Sequence, residues 1–181
     1  MKLLTLPLIL LLASCTYAPW HYENYYPVET GEYQSGYYKS DNQLMKVSVI
    51  STEVEPEVRK TPYTLWIKYI DQSMAHKNIN ICNLFVTTTN SQVIISNQDK
   101  CLEVPLEIGS LIKGAKPYAK SALFKHSGIN LDFDSNEKLN VSFSYSLTSN
   151  SGKKGASKNI KLLFEPVLDK GLTKPCCLPS V

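Results

Sequence analysis

The chain has 181 residues, with 19 Lys and Arg against 16 Asp and Glu, for a formal charge of +3. That balance excludes the strong attraction to polyanions on which nucleic-acid binding depends. Only Arg59 among the basic residues is an arginine, so bidentate phosphate recognition has little to work with.

Lys2 precedes an apolar run, Leu3 to Leu12, broken only by Thr5 and Pro7, and the small residues Ala13 and Ser14 follow. This is the layout of a secretory signal peptide. The run is too short to cross a bilayer, which takes about 20 helical residues. Leu12-Ala13-Ser14-Cys15 resembles the lipobox of bacterial lipoproteins, a likeness confined to this targeting segment. The resemblance implies cleavage before Cys15, diacylglycerol on its thiol and acylation of its new amine. One acyl chain binds a membrane reversibly, whereas two or more anchor stably. Thr16, not Asp, follows Cys15; this resembles a lipoprotein passed on to the outer membrane, there facing the periplasm. Residues 1–14 are thus expected to be signal peptide, and acyl chains on Cys15 to be the membrane partner.

Residues 15–43 hold seven of the eleven tyrosines: Tyr17, Tyr22, Tyr25, Tyr26, Tyr33, Tyr37 and Tyr38. Pro19, Pro27, Gly31 and Gly36 interrupt them, and no helical or alternating pattern lasts. The stretch reads as a flexible tether from the lipidated Cys15, able to span at most about 95 Å. Its tyrosines also offer apolar rings with polar tips that stack on sugars or rest among lipid headgroups.

From residue 44 the pattern changes. Leu44, Lys46, Ser48 and Ile50 share one face of an alternating run, with Met45, Val47 and Val49 on the other. Tyr63 to Ile70 sets Leu65, Ile67 and Tyr69 opposite Trp66 and Ile70. Ile81 to Thr87 and Gln92 to Ile95 predict a hairpin about a Thr/Asn/Ser turn. Leu102, Val104, Leu106 and Ile108 alternate, and Pro105 marks that run as an edge or bulged strand. Pro117 to Lys125 predicts a short helix or another strand. Leu139 to Leu147 alternates most clearly, and the polar loop 148–159 leads to Ile160–Phe164. Short β-prone runs separated by turn residues predict an all-β fold. The expected architecture is a single antiparallel β-sandwich over 44–168, immunoglobulin-like or transthyretin-like, with a small β-barrel as the alternative. Trp66, Phe85, Phe143, Tyr145 and Phe164 are its expected large core residues, and 169–181 its C-terminal tail.

Export places cysteines where disulfides persist. Cys82 and Cys101 flank the predicted hairpin and are expected to pair. Cys176 and Cys177 are candidates for a second disulfide, as an adjacent bridge, with an external partner, or with the first pair. No spacing gathers metal ligands around His21, His76 or His126. His126 and Ser127 are neighbours on a predicted strand and face opposite ways, so adjacency makes no nucleophile–base pair. Asp132 to Glu137 begins like a calcium loop, but Glu137 stands where Gly is required and Phe143 where a bidentate Glu would close the cage. Glu53, Glu55 and Glu57 read as a solvated loop beside Arg59 and Lys60. No enzymatic activity, cofactor, metal or nucleic acid is expected. The chain reads as a lipid-anchored envelope lipoprotein, a structural or assembly component with an envelope protein partner. The alternative is a ligand- or enzyme-binding module such as a hydrolase inhibitor. The Lys-rich loop 148–159 and the tyrosine stretch are its expected contact surfaces.

Overall fold

The computed structural model describes residues 19–30, 33–34, 36–40, 42–51, 58–59, 61–108 and 119–172. Residues 1–14, Cys15, Cys176, Cys177 and the Glu53–Glu57 stretch lie outside them. Among the described residues no helix is long and apolar enough to cross a membrane.

The protein is all-β. Its strands are β1 (Pro19–Pro27), β2 (Tyr33–Gln34), β3 (Tyr37–Ser40), β4 (Gln43–Ser51), β5 (Val58–Arg59) and β6 (Tyr63–Asp71). There follow β7 (His76–Thr88), β8 (Val93–Pro105), β9 (Glu107–Ile108), β10 (Lys120–Ile129), β11 (Leu139–Ser149) and β12 (Lys158–Leu172). They form one large sheet in the order β8-β7-β11-β12-β1-β4-β6-β10-β9, with β2 and β3 appended to β4, and β5 to β1. Every pairing is antiparallel except β1 with β5.

Strand β12 turns this sheet into two layers. Its first half, Lys158–Phe164, pairs with β11, and its second half, from Phe164 to Leu172, pairs with β1. Phe164 belongs to both ladders, is fully buried, and is followed two residues later by Pro166. Strand β1 then reaches β4 through Asn24↔Ile50 and Tyr25↔Val49. The layers meet across a shared interior, where the rings of Tyr69 on β6 and Tyr145 on β11 lie 6.0 Å apart. The sheet does not close into a barrel: among the described residues its terminal strands are β8 and the two-residue β9, which pairs only with β10.

The alternating patterns account for the interior. Met45, Val47 and Val49 of β4, Leu65, Ile67 and Tyr69 of β6, and Val141, Phe143, Tyr145 and Leu147 of β11 are all buried. Period two puts one apolar face on the core while the other meets water. Fully burying each large side chain contributes about 1.5–3 kcal/mol.

Several expectations change. Residues 15–43 are not simply a tether, because β1, β2 and β3 are strands of the sheet and Tyr25 and Tyr33 are core residues. The pairing that holds β1 comes from β12, so no local pattern announces it. The C-terminal tail expected from 169 begins later, since β12 runs to Leu172. Trp66 and Phe85 are only half-buried, whereas Phe143, Tyr145 and Phe164 are interior. Pleating sends Leu65 and Ile67 inward on β6, and Leu84 and Val86 inward on β7, which leaves Trp66 and Phe85 on the outer faces. Finally, Gln92–Ile95 and Leu102–Pro105 are not separate strands: Val93–Pro105 forms one long strand, β8; for Pro117–Lys125 the strand alternative holds from Lys120, where β10 begins, and 117–118 lie outside the described residues. The Leu102–Ile108 face is not a core face: Leu106 is buried, but Leu102 is 50% and Ile108 66% exposed. Strand β8 is terminal in the sheet, so no neighbouring strand covers that run.

Candidate functional site

A polar network closes one end of the sandwich. Asp71, the last residue of β6, is fully buried. Its Oδ1 accepts hydrogen bonds from the Ser73 backbone N–H (3.0 Å) and the Ser73 hydroxyl. Its Oδ2 accepts from the His76 backbone N–H (3.0 Å) and His76 Nδ1 (2.9 Å). Burial pushes the Asp71 carboxyl up, but these hydrogen bonds and the imidazole together hold it below the ordinary value. Lys120 Nζ then donates to the His76 carbonyl and to Asn150 Oδ1, both at 2.9 Å. Asn150 Nδ2 donates to the Met74 carbonyl (3.0 Å). The turn after β6, the start of β10 and the β11–β12 turn are thereby tied together.

Asp, His and Ser meet here without forming a nucleophile relay. Ser73 donates to the carboxylate, not to the imidazole, so no base stands ready to take its proton. The trio fixes the turn, in which Met74 adopts φ 58°. Sequence spacing did not single it out, because its hydrogen bonds form only once the turn has folded.

The expected site residues divide. Cys82 on β7 and Cys101 on β8 are bonded to each other, directly opposite in register with Cα atoms 4.1 Å apart. His126 and Ser127 do face opposite ways: His126 lines a cavity beside β8, while the Ser127 hydroxyl accepts from Thr64 Oγ1 at 3.1 Å. Asp132 to Glu137 forms a turn around the 3-10 segment Phe133–Ser135, with Asn136 at φ 55° and Phe133 packed edge-on to Tyr25. Among the described residues no three His, Cys, Asp or Glu side chains converge as metal ligands. In the loop before β12, Lys153 and Lys154 stand exposed.

The most open feature is the seam where the sheet fails to close. Among the described residues, strand β8 pairs with β7 on one side only, and β10 beyond Ser121 pairs only with β6. Between these two edges lies a cavity of about 230 Å³, with Ile81, Leu84, Leu102 and Phe124 as its apolar lining and Lys100 and His126 at its rim. Strand β8 is interrupted there by a bulge. Cys82↔Cys101 is followed by Leu84↔Asn97, so three β8 residues oppose the single Asn83. Asn83 Oδ1 accepts the Asp99 N–H at 3.1 Å and holds the bulge in place.

A second hollow, of about 660 Å³, lies on the outer face of β4 and β6. Tyr26, Tyr37, Trp66, Lys46 and Lys68 line it. Tyr26 and Tyr37 of the expected tether thus face a groove that the buried Tyr33 also lines, while Tyr25 is interior. Burial raises the phenols of Tyr25 and Tyr33 to about 12.

No family model, curated protein or solved structure matches the chain.

Proposed function

We propose that the chain is a lipid-anchored envelope lipoprotein, held in the outer membrane by acyl chains on Cys15 with its body in the periplasm. Its sandwich serves as an assembly or interaction component rather than an enzyme. The open seam is the observation that supports an interaction role: two strand edges with free main-chain groups flank an apolar cavity. An extended segment of an envelope protein partner laid along either edge would gain main-chain hydrogen bonds and cover Leu102 and Phe124 with alternate side chains. An unprotected edge otherwise invites indiscriminate pairing, and the β8 bulge with Asp99 and Lys100 is a device that limits it.

The fold also shortens the proposed anchor. Strand β1 begins at Pro19, four residues beyond Cys15. Four extended residues span only about 14 Å. Acyl chains on Cys15 would therefore hold the β1–β12 ribbon close to the bilayer, and Leu172 leaves that ribbon opposite Pro19.

Two measurements test the proposal. Mass spectrometry of the processed protein is expected to show an acylated Cys15, and Cys15→Ala to release the protein from the membrane fraction; an unmodified terminus refutes the anchor. A photo-crosslinking residue at Leu102 or His126 is expected to trap a partner through an extended segment, whereas one at Lys161 is not. Equal trapping at all three positions, or none at the seam, refutes the edge-pairing role.

A further inference from the structure

The outer face of β3, β4, β6 and β10 carries an arrangement that the seam does not use. Register places Lys46 of β4 directly opposite Lys68 of β6, and Lys68 opposite Leu123 of β10. In the next row Ser48 stands opposite Trp66, and Trp66 opposite Lys125. Like charges directly across a ladder destabilise a sheet, and among the described residues neither Lys46 nor Lys68 has a carboxylate partner; the ion pairs there are His76–Asp71 and Lys138–Glu165. Aromatic faces accompany the cations. Lys46 Nζ lies 5.9 Å from the Tyr37 ring centroid, and Lys125 Nζ 4.2 Å from that of Trp66. The Trp66 Nε1–H is buried and has no hydrogen-bond partner. Among the described residues no acid lines the groove; the nearest carboxylate contact is Asp169, which accepts from Tyr26 OH at 2.6 Å and from Asn24 Nδ2 at 3.1 Å.

We propose that this groove binds a carboxylated saccharide. The paired ammonium groups of Lys46 and Lys68 would hold one carboxylate between them, removing the repulsion that the empty ladder carries. The Trp66 and Tyr37 rings offer flat apolar faces to the C–H side of sugar rings. Ser48 and Tyr26 supply polar partners for hydroxyls around them. The volume of about 660 Å³ falls within the range of small-ligand sites. This site is independent of the lipid anchor and of the seam.

Trp20 and Trp66 are the two tryptophans, so Trp20→Phe leaves Trp66 as the sole indole reporter. In that background, trigalacturonate at low salt is expected to shift the emission saturably. Maltotriose, the neutral control, is expected to bind at least tenfold more weakly. Lys46→Gln with Lys68→Gln is expected to weaken trigalacturonate binding at least tenfold without lowering Tm, because it removes two like charges from one ladder rung. No saturable shift, equal binding of maltotriose, unchanged affinity in the double variant, or tighter binding of hexathymidylate overturns the proposal.

Discussion

Replacing Asp71 by Asn tests the reasoning about the closed end of the sandwich most directly. The carboxylate accepts four hydrogen bonds, two on each oxygen. Asn keeps one accepting oxygen, which serves the Ser73 side, and turns an N–H₂ toward the two His76 donors. The His76 backbone N–H loses its acceptor, whereas the imidazole can shift its proton to Nε2 and accept the Asn N–H at Nδ1. A hydrogen bond to a charged group contributes about 1.5–3 kcal/mol. The lost bond therefore predicts a loss of about 1.5–3 kcal/mol, a fall in Tm of roughly 3–12 °C for a domain of this size. Acid supplies the second half of the test. The native carboxyl is held below its ordinary value, so the unfolded chain binds the proton more readily. The stabilisation is complete above about 3.9, the value of a free Asp, and disappears as pH falls through the lower native value. Urea unfolding of wild type and Asp71→Asn at pH 7, 5, 4 and 3 measures this difference. The gap is expected to be widest at pH 7 and to narrow below about pH 4. A gap under about 1 kcal/mol at pH 7, or one that does not narrow in acid, refutes the assignment.

Three further outcomes follow from the same geometry. Tyr25→Ala is expected to cost about 3–5 kcal/mol, because the ring is buried and edge-on to Tyr63 at 5.2 Å; unchanged chemical denaturation would restore the tether reading of that segment. Cys82→Ser with Cys101→Ser opens a bridge across a sequence separation of 19 and is expected to lose about 3 kcal/mol, with a reductant lowering the wild-type urea midpoint and leaving the double variant unmoved. Burial raises the Tyr25, Tyr33 and Tyr145 phenols to about 12, so the native state keeps protons that the unfolded chain gives up near pH 10. Stability is therefore expected to fall between about pH 10 and 12, with tyrosinate absorbance rising together with the loss of far-UV signal; full tyrosine ionisation without unfolding contradicts the burial.

Much of the interior is readable from spacing. Val141, Phe143, Tyr145 and Leu147 alternate with polar neighbours in the sequence, and all four are buried. Strand β4 splits its faces at Met45, Val47 and Val49 in the same way. The alternation also separates Trp66 from Leu65 and Ile67; size alone suggests Trp66 for the core, but its face points to the groove. The candidate sites are less readable. The seam requires knowing that β8 and β10, the latter followed only by the short β9, lie toward opposite ends of one sheet. The Lys46–Lys68 rung requires the register between β4 and β6.

Pleating makes side-chain direction a local property, so the amino-acid order by itself determined an all-β chain and most of its inward-facing residues. The hairpin between β7 and β8 was equally local, since its turn and both cysteines lie within one short stretch. Tertiary structure alone decided that β1 is a strand, because its ladder partner β12 lies more than a hundred residues away and Tyr25 is buried only when that pairing exists. It alone decided the two layers, through a single residue, Phe164, shared by both ladders. Strand neighbours, unlike strand faces, are chosen by contacts between distant segments, and no window along the chain contains both sides of such a contact.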